Sequence, residues 1–217
     1  MSNTEILSGI VSQPTLHRLP VYLNYLRLKR DLGAVNISST AIAEDLRLNP
    51  VQVRKDLALV SNSGRPKTGF DINDLIDNIE TFLGYKNTKD VVLVGAGKLG
   101  RTLLSYNGFS LCGLNILAAF DNDENIIGTE INGKKIFHTD KMKDLIKRLG
   151  VHIGIITVTA ENAQKSCDML IDAGILAIWN FAPVHLSVPE NIIVQNENLA
   201  ASLAILSNKL QAELSNK

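Results

Sequence analysis

Along the chain the apolar residues fall into two rhythms. Up to about residue 83 they recur every three or four positions. Leu16, Leu19, Leu23 and Leu26 predict a helix over 15–32, stopped by Gly33, and Ile42 with Leu46 predicts a second within 36–48, opened by a Ser/Thr cluster. Asn49-Pro50 opens a third over 50–60, because Asn caps, Pro fits the first helical turn, and Gln52 can reach back to the cap. There Val53, Leu57 and Val60 share one face, while Val51, Lys55 and Ala58 point away, flanked by Gln52 and Arg54. Residues 61–69, SNSGRPKTG, carry the glycines and proline of a β-wing, and a helix over 71–83 closes the block.

After residue 90 the rhythm changes to short apolar runs. VVLV at 91–94, 116–120, 135–137, 151–157, 176–180 and 192–194 read as strands, with helices over 140–149 and 161–173 between the later ones. Strands alternating with helices imply a parallel sheet covered on both faces. The expected fold class is therefore α/β: an N-terminal winged helix-turn-helix followed by a Rossmann-like doubly wound parallel sheet. The last segment, 199–210, LAASLAILSNKL, is apolar around much of its circumference, too apolar for a free surface helix, and should pack on another element or subunit.

The stretch 91–100, VVLVGAGKLG, carries the candidate chemistry. Gly95, Gly97 and Gly100 follow a strand and open a helix with G-x-G-x-x-G spacing, enclosing Ala96, Lys98 and Leu99. A pyrophosphate needs the tight turn, the bare backbone and the close helix that these three glycines allow, and the helix N-terminus then faces the anion. The second apolar run ends at Asp121, near the offset at which a carboxylate accepts from both adenine-ribose hydroxyls and repels a 2′-phosphate, which favours NAD(H) over NADP(H). The competing reading of Asp121 is a turn cap with Asn122 and Asp123.

Charge and composition narrow the partners. Net charge is zero, yet residues 1–69 hold nine Lys+Arg against five Asp+Glu and the remainder thirteen against seventeen. A basic front block points to a polyanion at that end. The exposed face of the third helix suits a major groove: Arg54 and Lys55 can donate to guanine edges or phosphates, and Gln52 can pair with adenine. Arg65 and Lys67 in the wing are candidates for phosphate contacts. Cys112 and Cys167 make no disulfide framework or metal spacing, and MSNTEILSGIVSQP lacks the basic start and apolar core of a signal peptide, so a cytoplasmic protein with a polar N-terminal arm is expected.

Taken in order, NPVQVRKDL, the wing ending KTGFD, VVLVGAGKLG, AAFDND, IGIITV leading into TAENAQ, and WNFAPVHLSVP resemble the Rex family of bacterial redox-sensing transcriptional repressors over nearly the whole chain. The resemblance implies a homodimer with a winged-helix DNA-binding domain (1–85), a Rossmann domain sensing the NADH/NAD+ ratio (86–197), and a C-terminal helix (198–217) exchanged between protomers. It implies that NADH releases a palindromic double-stranded operator while NAD+ permits binding, at genes of fermentation and respiration. It places Tyr106 near the nicotinamide and makes 159–161, with Thr159 and Ala160, and 180–183, with Asn180 and Phe181, walls of that pocket. The bland reading of Tyr106 is a helix-end aromatic packed on the sheet. It also implies a switch contact between Arg18 and position 198. There the family usually has Asp and this chain has Asn198, which keeps a hydrogen bond to Arg18 but loses its charge-assisted part unless Glu197 turns in. The wing too departs from the family, lacking the aromatics and acid that many members carry.

Two other classes fit the sequence less well. An NAD-dependent dehydrogenase with a helical extension needs an acid/base beside the nicotinamide. His17, His138, His152 and His185 are scattered, with His185 the best candidate of the four. A CoA- or nucleotide-binding scaffold without DNA activity leaves the Asn49-Pro50 helix unexplained.

Overall fold

The computed structural model describes residues 11–61, 63–65 and 68–215, and these divide into two units between Asn87 and Thr88. The expected N-terminal arm lies largely outside the described residues.

In the first unit, α1 (Gln13–Asp31) begins on Ser12, whose hydroxyl accepts from the Thr15 N–H at 3.4 Å. Ser38 caps α2 (Ser39–Asp45), and Asn49 caps α3 (Pro50–Val60), its Oδ1 accepting from the N–H groups of Val51 and Gln52 at 2.9 and 3.3 Å. The Gln52 side chain does not return to this cap; it turns to Asp56. Between α3 and α4 (Ile72–Phe82) the chain forms β2 (Phe70–Asp71), antiparallel to β1 (Asn36–Ile37). Leu19, Leu23 and Leu26 of α1, Ile42 of α2, Val53 and Leu57 of α3, and Leu75 and Ile79 of α4 converge on one core. Two positions depart from the expected face of α3: Asp56 is buried there and Val60 is only half-buried.

In the second unit the strands are β3 (Lys89–Val94), β4 (Leu114–Asp121), β5 (Glu130–Ile131), β6 (Lys134–His138), β7 (Ile153–Ile156), β8 (Ala177–Asn180) and β9 (Ile193–Asn196). They form one sheet in the order β5-β6-β4-β3-β7-β8-β9, parallel except for the β5–β6 hairpin. Alternate β3 residues feed opposite cores, as the two-residue strand period requires. Val92 and Val94 meet α6 (Met142–Leu149) and α7 (Ala160–Ala173), whereas Val91 and Leu93 meet α5 (Lys98–Ser105) through Leu104. The sheet is thus covered on both faces, as the alternation of runs predicts. Both cysteines are free, and burial pushes the Cys167 thiol up to about 11.

The final helix, α8 (Leu199–Ser215), presents every side chain over 200–215 to solvent. Leu203, Ile205, Leu206, Leu210 and Leu214 are 58–66% exposed, with none of the described residues covering them.

Candidate dinucleotide and DNA sites

Strand β3 ends where Gly95 turns with φ +98°, a left-handed conformation that costs glycine little. A Cβ there would come within 2.8 Å of Val158, and one on Gly100 would collide with the Gly95 carbonyl oxygen, so α5 starts tight against its strand. Gly97 differs: a Cβ on it would meet nothing within 4 Å. It is the N-cap of α5 and has no side chain to occupy the first-turn amides, which leaves those N–H groups open to an anion beside bare backbone. The loop is held from three sides. The Thr157 hydroxyl donates to the carbonyls of Val94 and Gly95 (3.1 and 2.6 Å), Arg101 Nε donates to the Ala96 carbonyl (3.1 Å), and the Ala96 N–H donates to Asp121 Oδ2 (2.6 Å).

Asp121 ends β4, next to β3 in the sheet, and its other oxygen accepts from the N–H groups of Asn122 and Asp123 at 2.7 and 3.0 Å. The carboxylate therefore caps its own turn and also braces the glycine loop, while lining a cavity of about 270 Å³ with Gly95, Gly97 and Thr159. The cavity lies at the C-terminal ends of β3, β4 and β7, where the strand order reverses, the usual ligand crevice of such sheets. Its remaining walls include Thr139, Thr157, Asn162, Lys165, Ser166 and Met169, none of them singled out from the sequence. The switch-point rule applied to the end of IGIITV and the helix after it could have pointed to the last five. The Thr139 hydroxyl donates to Asn122, fixing the β6 side of the wall.

The other expected pocket residues are placed differently. Ala96 is buried, Lys98 is exposed, Leu99 is half-buried, and Ala160 opens α7 exposed to solvent. Tyr106, 59% exposed at the end of α5, lines a separate recess with Asn107, Phe109 and Lys134. Its ring makes an edge contact with Phe109 at 5.1 Å, and the aromatic row continues through Trp179 (5.8 Å) to Phe181 (4.5 Å from Trp179). Asn180 is fully buried. Its Nδ2 donates to the carbonyls of Ala182 and Val184 and to Asn196, and its Oδ1 accepts from the Ala182 N–H, so its amide shapes the 180–184 turn.

In the first unit, Arg54 and Lys55 are exposed on α3 and make no ion pair among the described residues. Beneath them Asp56, 1% exposed, gathers five donors. Oδ1 accepts from Thr15 (3.1 Å), Arg18 (2.9 Å) and Gln52 (2.9 Å), and Oδ2 accepts from Arg18 (2.6 Å) and Tyr22 (2.8 Å). Burial opposes ionisation of this carboxyl, but the hydrogen bonds from Arg18, Tyr22 and Gln52 outweigh it and hold its pKa below the usual range. The same pairing raises Arg18, chiefly through its hydrogen bond to Asp56. Burial, with the Asp56 bond second, pushes Tyr22 up to about 12. Sequence reasoning missed Asp56; the available signal was a carboxylate three residues after Val53, on the apolar face of a short helix.

In the wing, Arg65 pairs with Gly69 through two backbone hydrogen bonds (2.8 and 2.9 Å) and its side chain is exposed; Lys67 lies outside the described residues. Both expected switch residues have partners within their own units. Arg18 grips Asp56, while Asn198 Oδ1 accepts from the Ala201 N–H at 2.9 Å at the start of α8. Glu197 accepts from the Trp179 indole N–H at 2.9 Å. Among the described residues no group of His, Cys, Asp and Glu could hold a metal ion.

Similarity to known proteins follows the same division. Residues 10–58 match the family model described as a putative DNA-binding protein N-terminus, and residues 86–184 match the CoA binding domain. The redox-sensing transcriptional repressor Rex of Bacteroides fragilis is 43% identical over 200 residues, covering 92% of this chain and 91% of that protein. The repressor of the same name from Treponema denticola is 41% identical over 197 residues, covering 91% and 94%. Among solved structures, RSP, a Rex-family repressor, in complex with β-NAD+ and operator DNA matches with a TM-score of 0.88 at 33% identity, over 94% of each chain. RSP in complex with β-NADH matches at 0.85 and 33%, over 94% of this chain and 96% of that one. On fold, and on 41–43% identity over more than nine-tenths of its length, the chain belongs to the Rex family of redox-sensing transcriptional repressors.

Proposed function

We propose that this protein is a cytoplasmic homodimeric repressor that holds a palindromic operator through α3 and the wing and releases it when NADH, rather than NAD+, fills the cavity of the second unit. The observation that carries the reading is the combination, in one chain, of an open Gly97 cradle braced by Asp121 with a capped helix that presents Arg54 and Lys55. The RSP neighbours bind the same two ligands, and the full-length relatives are repressors, which leaves the dehydrogenase alternative without support.

The residues present fit a dinucleotide. Gly97 and the first-turn amides of α5, at Lys98, Leu99 and Gly100, would receive the pyrophosphate, and Asp121 the adenine ribose. When bound, the dinucleotide supplies a nicotinamide whose charge and ring geometry depend on its oxidation state. Thr159 and Ala160 at the start of α7, Tyr106 and Phe181 of the aromatic row, and Asn180, through the 180–184 turn it shapes, are the residues through which that difference would be felt. NADH lowers operator affinity only by favouring a dimer arrangement in which two α3 helices no longer match two half-sites. The dimer reading is supported by α8, whose leucines form an exposed apolar surface of a kind that soluble proteins cover. The cytoplasmic reading draws on its class as a repressor; no helix among the described residues is long and apolar enough to cross a membrane.

The test is calorimetry with NADH, NAD+ and NADPH on the full chain, beside mobility shifts on duplexes it selects. NADH and NAD+ should bind, NADPH more weakly, and only NADH should dissolve the DNA complex. Failure of both dinucleotides to bind overturns the reading.

A further inference from the structure

Asp56 joins α1 to α3, and it also decides which end of the Gln52 amide faces away from the protein. Gln52 Nε2 donates to Asp56 Oδ1 at 2.9 Å, one helical turn further along. An ionised carboxylate can only accept. The donors from Thr15, Arg18 and Tyr22 that surround Asp56 keep it in that form. Turning the amide over would set the Gln52 oxygen against a carboxylate oxygen with no proton between them. The nitrogen therefore faces inward. What the exposed Gln52 offers outward is Oε1, with the second hydrogen of Nε2 beside it.

We infer that Asp56 is a positioning residue that fixes the hydrogen-bonding polarity of Gln52, so that Gln52 selects adenine and rejects guanine at one base pair of each half-site. The inference rests on the DNA-binding reading of α3. Adenine shows an N6 donor and an N7 acceptor in the major groove, complementary to an outward oxygen and an adjacent N–H. Guanine shows two acceptors, O6 and N7, and its O6 would oppose Gln52 Oε1. Were the amide free, a rotation by half a turn would make it a donor toward guanine, and the discrimination would vanish. The carboxylate below removes that freedom without touching DNA.

The experiment is selection of duplexes from a random-sequence library by the full-length protein, repeated with Gln52→Ala and Asp56→Asn, with each protein's fold checked by circular dichroism. Wild type should enrich half-sites with one adenine column. Gln52→Ala should flatten that column alone, lowering the preference roughly 5- to 150-fold, the span of one bidentate contact. Asp56→Asn, whose amide can present either a donor or an acceptor to Gln52, should admit guanine in the same column. A purely structural role for Asp56 would instead weaken all sequences alike and leave the column intact. Base analogues on the wild-type protein test polarity without any variant: purine, lacking the N6 donor, should bind worse than 7-deazaadenine, which keeps it. No enriched sequence at all overturns the DNA-binding reading and this inference with it. Enrichment with a column unchanged by Gln52→Ala, a guanine column lost with it, or equal binding of purine and adenine overturns this inference alone.

Discussion

The Asp121 carboxylate accepts the Ala96 backbone N–H at 2.6 Å, so the residue at the end of β4 grips the middle of the glycine-rich loop that follows β3. The side chain thus holds the loop in shape, and under the proposed function it would also receive the adenine ribose. Asp121→Ala should lower NADH affinity by about 1.5–3 kcal/mol, the range for hydrogen bonds to a charged group, and narrow the gap to NADPH by removing the repulsion of a 2′-phosphate. Calorimetry with both reduced dinucleotides checks it; an unchanged NADH/NADPH ratio would show that Asp121 only braces the loop.

The glycines of the loop should separate binding from stability. Gly97→Val fills open space where an anion is expected to approach, so it should abolish NADH binding while shifting unfolding free energy by no more than about 0.5–1 kcal/mol. Gly100→Ala drives a methyl into the Gly95 carbonyl and should destabilise the fold itself by a larger amount, about 1–3 kcal/mol. Thermal unfolding and NADH titration of both variants give the comparison; equal instability of the two contradicts the assignment of Gly97 as the cradle.

The Asp56 cluster sets two pH limits on the first unit. Asp56 has a lowered folded pKa, so its stabilisation is present above the unfolded value near pH 4 and is lost as pH falls below it. Tyr22 has a raised pKa, so its contribution is complete below pH 10 and is lost as pH climbs from 10.0 to about 12. Denaturation across pH should show that Tyr22→Phe flattens the alkaline arm and Asp56→Asn the acid arm. Identical profiles in all three proteins would dissolve the cluster's role.

A weak switch contact is expected between positions 18 and 198. Arg18 is already bound in two places to Asp56, Asn198 accepts from Ala201, and Glu197 is taken by Trp179. A double-mutant cycle over Arg18 and Asn198, read as the NADH-induced change in operator affinity, should give a coupling below about 0.5 kcal/mol. Asn198→Asp should raise it. A large coupling in the native pair would show that Asn198 already performs an aspartate's part.

The dimer is expected to depend on α8. Leu206→Asp or Leu210→Asp should yield a monomer by sedimentation that still binds NADH, because the residues lining the cavity, between Val94 and Met169, lie outside α8. A variant that stays dimeric would move the interface elsewhere.

The contrast between what the sequence announces and what it hides has a physical basis. Repeating signals were readable: the i, i+4 leucines of α1, the Asn49-Pro50 start of α3, and the VVLV run ending in spaced glycines each report on neighbours in the chain. The β5–β6 hairpin was missed: Asn132-Gly133, with φ of 50° and 73°, is a turn signal, but a two-residue strand gives no periodicity to go with it. Long-range partners left no such mark. Asp56 is committed to residues 34 to 41 positions away, Asn180 to a strand 16 positions on, and the α7 wall of the cavity to a crossover that only the finished sheet defines. A motif names the residues that touch a ligand; it does not name those that hold them.

Under the proposed function one chain couples a dinucleotide to DNA, and only the reduced form weakens the DNA complex. The direct measurement is reciprocal linkage: operator affinity measured with and without saturating NADH or NAD+, and NADH affinity measured with and without operator. NADH should weaken operator binding, operator should weaken NADH by the same factor, and NAD+ should leave the complex intact. Equal effects of NADH and NAD+ on operator affinity, or an NADH affinity indifferent to operator, would rule out such coupling.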